Sequence, residues 1–159
     1  MQLIDKTSYV LRRASSGDKK LLFDWVNEEE VRNNSINTKS ISFEEHESWF
    51  NKKLNCPDCG IYIFEIKAVP AGVIRFDFNE IDNAWEIGYS IAKNFRGNGL
   101  GKVIIVEGMK LLNHLPVIGY VKEENKKSQA IFNSLGFINN GIHYIKNCPL
   151  LKYIKSSAL

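Results

Sequence analysis

Three glycines at alternate positions are the feature of this 159-residue chain that most directly suggests chemistry. Glycine adopts backbone torsions that other residues avoid, and it lets a ligand approach the main chain closely. A run with helical apolar spacing follows, and the first N–H groups of a helix favour an anion. We therefore predict a phosphate-binding loop. Its residues are Arg96, Gly97, Asn98, Gly99, Leu100, Gly101 and Lys102.

Two better-known phosphate-binding patterns do not fit this loop. A dinucleotide fingerprint needs G-x-G-x-x-G, whereas these glycines are spaced G-x-G-x-G. A P-loop needs G-x-x-x-x-G-K-[ST], and only Gly101-Lys102 fits, because Arg96 and Val103 break both flanks. A glycine-rich turn without a ligand remains the alternative interpretation.

The hydrophobic spacing predicts the elements that must position the loop. Leu21, Leu22, Trp25 and Val26 form the apolar stripe of a first helix, and Ser42 with Glu45 forms a capping box before a second one. The predicted order is β-αα-βββ-α-β-α-ββ, an α+β fold with a mostly antiparallel central sheet flanked by helices in a single domain, 1–159. Strands are expected at 9–14, 61–67, 73–78, 85–91, 117–122, 137–138 and 143–154, and helices after residue 18, at 43–54, after the glycine loop and at 126–135.

A second pattern lies downstream, where Asn125, Ser128 and Phe132 precede Leu135-Gly136-Phe137. With this pattern and the R/Q-x-x-G-x-G/A signature of the glycine loop, the chain resembles the GNAT superfamily of acetyl-CoA-dependent N-acetyltransferases. The resemblance implies that backbone N–H groups of the loop hold the pyrophosphate of acetyl-CoA. It also implies that the main chain near Ile91 pairs with the pantetheine arm, and that the second pattern contacts the cofactor.

The same resemblance directs attention to the strand before the loop for the reaction centre. An amine must lose a proton before it can attack a thioester, and Glu86 is the carboxylate on that strand, so we predict it as the general base. A structural glutamate, hydrogen-bonded across the sheet, is an equally good interpretation. Many relatives carry a tyrosine acid where this chain has Phe132. Tyr144, or otherwise Tyr120 or water, is expected to protonate the leaving thiolate.

The first two helices shape the acceptor site in this family. Aromatic and hydrogen-bonding side chains concentrate there, in a pattern similar to the PseH-like sugar-nucleotide N-acetyltransferases of pseudaminic acid biosynthesis. This resemblance implies a UDP-linked aminodeoxysugar acetylated at its 4-amino group in a ternary complex; a protein N-terminus or a non-catalytic CoA-binding module are the alternatives. The expected substrate-binding residues are Arg32, Asn33, His46, Trp49, Arg75 and Asp77.

Composition excludes several other classes of function. The net charge of +3 is spread over isolated pairs such as Lys19-Lys20, so no nucleic-acid partner is expected. No apolar run is long enough for a membrane, and the three cysteines fit a reducing compartment, so we expect a cytoplasmic protein without a metal site. Cys56 and Cys59 are interpreted as incidental thiols of a connecting loop. The oligomeric state is left open, with a homodimer among the options.

Overall fold

The computed structural model describes residues 8–157 of the protein. Its centre is a seven-stranded sheet of order β1-β2-β3-β4-β5-β7-β6, in which every neighbouring pair is antiparallel except β4 with β5. The strands are β1 (Tyr9–Arg13), β2 (Cys59–Ile66), β3 (Val69–Asn79), β4 (Ala84–Ile91), β5 (Val117–Val121), β6 (Ile138–Ile145) and β7 (Cys148–Lys155). The helices are α1 (Lys19–Val26), α2 (Glu29–Asn33), α3 (Phe43–Leu54), α4 (Leu100–Met109) and α5 (Lys126–Ser134).

This architecture confirms the α+β fold expected from the sequence, with one added element. The added element is the short helix α2. Asn27 ends α1 immediately before it and hydrogen-bonds the loop that follows α2. Its side-chain amide donates to the carbonyls of Phe23 and Ile41 at 3.3 and 3.0 Å, and its oxygen accepts from the Ile41 N–H at 2.7 Å. Both halves of the capping box at Ser42 and Glu45 are formed, and α3 spans the predicted residues.

The turn between β2 and β3 lies earlier than the sequence suggested. Lys67 and Ala68 form it with φ of 50° and 64°, the left-handed pair that suits a two-residue hairpin. Pro70, expected in the turn, lies inside β3 opposite Glu65, where the register shifts. A bulge tolerates proline because the missing N–H is not needed by the ladder there.

Apolar residues fill both faces of the sheet. The face covered by α4 and α5 is closely packed, since a Cβ at Gly108 would lie 2.6 Å from Ile74 Cδ1 and 2.9 Å from Phe76 Cζ. The main buried residues of that layer are Phe64, Ile74, Phe76, Ile104, Ile105, Phe132 and Tyr153. The layer beneath α1 and α3 contains Ala14, Leu22, Phe50, Ile61, Ile63 and Val73.

The parallel pair at the centre of the sheet opens after a short contact. β4 and β5 pair only from Trp85–Ile87 to Val117–Gly119, and the rest of β4 keeps β3 as its partner. A cleft therefore forms between the carboxyl ends of β4 and β5. The glycine loop and the start of α5 both lie at this opening.

The cysteine prediction is corrected by the structure. Cys56 and Cys59 are joined in a disulfide between α3 and β2, with their Cα atoms 5.3 Å apart, so they are not incidental free thiols. Cys148 is a free, half-buried cysteine. No helix within residues 8–157 is long and apolar enough to cross a membrane.

Candidate active site

The cleft between β4 and β5 continues into a cavity of about 1040 Å³ that reaches from the glycine loop to α3. One end is lined by residues predicted for the cofactor, and the other by residues predicted for catalysis and the acceptor. The first group is Ile91, Arg96, Gly97, Gly99, Leu100, Gly101, Asn125, Ser128 and Phe132. The second is Glu86, Arg32, His46, Trp49, Arg75 and Asp77.

The glycine loop has the backbone conformation that its sequence predicted. Gly97 and Gly99 are left-handed, with φ of 79° and 74°, and a Cβ on either would meet no protein atom within 4 Å. Gly101 is different, because a Cβ there would lie 2.8 Å from Ile131 Cδ1 and 3.3 Å from Tyr89 Cε2. The start of α4 thus packs against α5 and β4 with its first N–H groups at the cleft, an arrangement that suits phosphate.

Arg96 anchors the loop to its surroundings. Its Nε donates to the Ile91 carbonyl at 2.8 Å, while its two terminal nitrogens pair with Glu28 at 2.7 Å and Glu30 at 3.1 Å. Glu30 also lies 3.7 Å from Lys127 on α5. The arginine of the signature therefore joins the end of β4 to α2, which fixes both halves of the cavity relative to each other.

The second sequence pattern forms the opposite wall of the cofactor end. Asn125 caps α5 by accepting from the Ser128 N–H at 3.2 Å, and the Ser128 hydroxyl is 2.7 Å from that of Tyr89. Burial raises the pKa of Tyr89, a site residue that the sequence analysis missed although it lies two residues before Ile91. Phe132 is buried, and its ring fills the space above Gly119, where a Cβ would lie 2.4 Å from Cζ.

Two adjacent carboxylates occupy the floor of the acceptor end. Glu86 on β4 is the register partner of Asp77 on β3, so both project to the same side of the sheet. Glu86 Oε1 accepts a hydrogen bond from Asn79 Nδ2 at 2.7 Å, whereas Asp77 forms an ion pair with Lys53 of α3. The predicted base thus lies in the cavity beside the cleft.

Arg75 lies beside these carboxylates and is held without a direct polar partner. Its guanidinium stacks 5.5 Å from the Trp49 ring centroid and crosses Gly88, where a Cβ would be 3.0 Å from Nη2. The cavity leaves the side chain exposed to solvent, and the Asp77 carboxylate beside it favours the charged form. Among residues 8–157 no hydrogen bond or ion pair engages it. Glycine inside a strand is the signal that could have pointed to this close approach.

The family model of the acetyltransferase (GNAT) domain matches residues 9–138. This chain belongs to that family. It is an acetyl-CoA-dependent N-acetyltransferase, as the glycine loop and the second pattern predicted. No curated protein sequence matches it.

Solved acetyltransferase structures share the fold at low sequence identity. Spermidine N-acetyltransferase from Vibrio cholerae, in complex with CoA and spermine, has a TM-score of 0.81 at 18% identity, over 94% of this chain and 96% of that one. An aminoglycoside acetyltransferase with coenzyme A has a TM-score of 0.80 at 15% identity, over 94% and 95%. A ribosomal alpha-N-protein acetyltransferase with coenzyme A has a TM-score of 0.76 at 17% identity, over 98% of each chain.

Arg32 of this acetyltransferase has a different environment from the one expected of a phosphate ligand. Its guanidinium donates to the carbonyls of Val26 and Asn37 at 2.7 and 2.8 Å. It also donates to the Lys39 carbonyl at 3.4 Å and the Ser35 hydroxyl at 3.0 Å. Within residues 8–157 these contacts engage four of the five N–H donors of arginine, so Arg32 does not present the free bidentate fork that the sequence analysis assumed. It orders the loop over the cavity instead.

His46 faces the cavity as a neutral, buried side chain. Burial lowers its pKa, and Nε2 lies 3.0 Å from the Lys19 carbonyl, to which it can only donate. Its ring also packs 5.9 Å from that of Phe50. This arrangement fixes the junction of α1 and α3 behind Trp49.

Several predicted residues lie outside the cavity lining. Asn98 and Lys102 are exposed on the outer side of the glycine loop, and Asn33 ends α2, where its carbonyl accepts from Lys122 Nζ at 2.9 Å. Tyr144 is 74% exposed on β6 and does not line the cavity, so its position does not support its predicted role as the thiolate acid. Strand alternation alone could not show that the edge strand β6 turns this tyrosine to solvent.

Proposed function

We propose that the acetyltransferase modifies the primary amine of a small acceptor that carries a phosphate. In its most specific form, the acceptor is a UDP-linked aminodeoxysugar acetylated at the 4-amino group, as the sequence pattern predicts. Arg75 is the observation on which the proposal rests. Its charge lies in the acceptor end of the cavity, and among residues 8–157 no carboxylate forms an ion pair with it, although the charge of Asp77 acts on it.

An anion is the natural partner for such a group. The planar fork of arginine matches phosphate in a bidentate manner, and no hydrogen bond within residues 8–157 occupies the fork of Arg75. Trp49 already stacks on the guanidinium, and its aromatic neighbours can receive a sugar or a base. Arg75 and Asp77 are two residues apart on β3 and share one face of the sheet, and Asp77 is the register partner of Glu86. A phosphate bound to Arg75 would therefore place a linked amine near Glu86.

Acetyl transfer is proposed to occur by direct attack within a ternary complex. The cavity extends from the glycine loop to Arg75, which supports a complex in which both substrates are bound at once. The free cysteine Cys148 does not line it, which argues against an acetyl-cysteine route. Glu86 accepts the amine proton, while Asn79 holds the carboxylate in place.

The acceptors named for the structural neighbours define the competing outcomes. Spermine and aminoglycosides are polycations, and the ribosomal enzyme modifies a protein N-terminus. A polycation would bring ammonium groups towards Arg75 and is therefore disfavoured here. The deciding experiment measures the rate of thiol release from acetyl-CoA with four kinds of acceptor. These are UDP-aminosugars, the same aminosugars without UDP, spermidine and peptides with a free N-terminus.

The first prediction concerns Arg75 in that assay. Arg75→Lys and Arg75→Gln should raise KM for the UDP-aminosugar by roughly tenfold or more, the equivalent of one lost charged hydrogen bond, because neither replacement provides the fork. KM for acetyl-CoA should not change. Arg13→Gln is the matched control, because Arg13 is an exposed arginine at the end of β1. Equal turnover of free and UDP-linked sugar, or a preference for spermidine or peptide, would refute the acceptor proposal.

A further inference from the structure

A line of polar side chains runs along the acceptor face of the sheet beside Glu86. Asn79 Nδ2, which donates to Glu86, also lies 3.4 Å from Asp82 Oδ2. Asp82 accepts in turn from Lys152 Nζ at 3.2 Å. Lys152 is only 8% exposed, which is unusual for a lysine, and it lies opposite Tyr120 on the neighbouring strand. The line thus begins at the proposed base and ends at a tyrosine.

Tyr120 stands where the sheet opens. The last paired residues of β4 and β5 are Ile87 and Gly119, and Tyr120 follows immediately on the same face as Glu86. Its side chain lines the cavity. Lys152 Nζ lies 6.0 Å from the centre of its ring, so the positive charge of the ammonium acts on the phenol. A phenol is therefore held at the cleft, next to the space where an amine would meet a thioester.

The reaction needs a proton donor that the cofactor end does not provide. When the C–S bond of the thioester breaks, the thiolate must gain a proton, and Phe132 has no hydroxyl to give one. Tyr89 lies on the opposite face of β4 from Glu86, with its hydroxyl on Ser128. Tyr153 is buried against Phe132. Tyr120 is the tyrosine that faces the acceptor end of the cavity.

We propose that Tyr120 protonates the leaving thiolate and that Lys152, held by Asp82, positions Tyr120 and stabilises its phenolate. The amine nitrogen forms the new bond to the acetyl carbon, and its proton passes to Glu86. The C–S bond breaks, and sulfur takes the Tyr120 proton. The proton on Glu86 then returns to the phenolate through solvent, so the products are the amide and free thiol, and both side chains are restored.

The charges around Tyr120 suit this role. Burial raises the pKa of Tyr120 above its ordinary value, the ammonium of Lys152 lowers it, and Glu86 and Asp82 raise it again. The hydroxyl therefore keeps its proton at neutral pH and can give it up beside a fixed positive charge. This inference rests on the acetyl-transfer reaction, not on the identity of the acceptor.

The second prediction is the kinetic result of removing the hydroxyl. Tyr120→Phe should lower kcat by roughly 10²-fold, the usual contribution of a general acid, with KM for amine and acetyl-CoA little changed. Tyr9→Phe removes a tyrosine hydroxyl outside the cavity and serves as the control. Any accepted primary amine can be used, so the test stands even if the nucleotide-sugar proposal fails. An unchanged kcat, or a raised amine KM alone, would overturn the assignment.

The pH profile of kcat separates proton transfer from simple packing. The parent enzyme should lose activity at high pH as Tyr120 ionises, and Tyr120→Phe should lack that alkaline limb. Lys152→Met should lower kcat and move the limb to higher pH, because the ammonium no longer lowers the pKa of Tyr120. Lys152→Arg keeps a positive charge, so it should retain much of the parent kcat and leave the alkaline limb near its parent position. An alkaline limb that stays in place in Lys152→Met, in a variant that still binds acetyl-CoA, would contradict the positioning role.

Discussion

At the scale of single residues, Glu86 and Asp77 are two neighbouring carboxylates with different partners. They are register partners on one face of the sheet, yet Asp77 is neutralised by Lys53, whereas Glu86 is held only by the neutral amide of Asn79. Within residues 8–157 no cation forms an ion pair with Glu86. A carboxylate without a counterion is the better proton acceptor, because an adjacent cation stabilises its charged form.

The third prediction tests this difference. Glu86→Gln keeps an oxygen for Asn79 but cannot take a proton, so kcat should fall by roughly 10²-fold or more while acetyl-CoA affinity is retained. Asp77→Asn should act mainly on the KM of the acceptor. Glu47→Gln, on the outer side of α3, is the control for loss of a glutamate. A wild-type rate for Glu86→Gln across the pH range would reduce Glu86 to a structural role.

At the scale of elements, the cofactor end is a helix start presented by left-handed glycines. Gly99 is the N-cap of α4, and its φ of 74° turns the chain so that the helix begins at the cleft. Arg96 ties the preceding strand to α2, and Lys122 ties α2 to the end of β5. The short helix α2 is therefore fastened on both sides of the cleft, which explains how a five-residue helix can hold the acceptor wall.

The fourth prediction separates the backbone strain of a glycine substitution from its effect on the cofactor. Gly99→Ala and Gly141→Ala both place a Cβ in open space at positive φ, 74° and 84°. Each should lower the free energy of unfolding by about 1 kcal/mol. Only Gly99→Ala should also weaken acetyl-CoA binding, by roughly tenfold, because its methyl group crowds the phosphates.

Calorimetric titration of both folded variants measures the affinities. Gly141 lies on β6, remote from the cavity lining, so it reproduces the strain without the contact. Equal affinities of the two variants for acetyl-CoA would remove the loop from the cofactor site.

At the scale of the whole molecule, a partly buried ion pair links the first strand to the first helical turn. Arg12 on β1 binds Asp18 through both terminal nitrogens at 2.8 Å, and its Nε pairs with Glu65 on β2 at 2.7 Å. The Arg12 hydrogen bonds hold the pKa of Asp18 below its usual range. A carboxyl whose pKa is lower in the folded protein stabilises it above the unfolded pKa, and this stabilisation is lost as the pH falls through the folded value.

The fifth prediction follows from that sign. Asp18→Asn should lower the free energy of unfolding at pH 7 by about 1–3 kcal/mol, since a charged, buried hydrogen-bond acceptor is removed. The difference from the parent should shrink on acidification below about pH 4, because the parent then loses the same charge. Denaturant titrations at several pH values measure it. Asp24→Asn, in an exposed pair with Lys20, should change little, and a difference that persists at low pH would contradict the linkage.

Local signals in the sequence were enough for the order of elements and for the conformation of the glycine loop. Apolar spacing predicted the helices and the capping box at Ser42 predicted where α3 begins, because these features depend on neighbours in the chain. The same holds for the glycine loop, whose conformation is set by residue type. Its position before a helix was sufficient to predict where α4 begins, and the phosphate site itself stays a prediction.

The acceptor end could not be predicted in this way, because its chemistry depends on contacts between distant segments. Residue type made Arg32 and Arg75 look alike, but backbone carbonyls of a nearby loop engage one and leave the other open to the cavity. The sequence likewise did not distinguish Tyr144 from Tyr120 as the thiolate acid. In the structure Tyr144 is exposed to solvent, whereas Tyr120 lies opposite Lys152 in the sheet. Composition determined which groups were available, and the tertiary structure decided which of them remain free to bind or react.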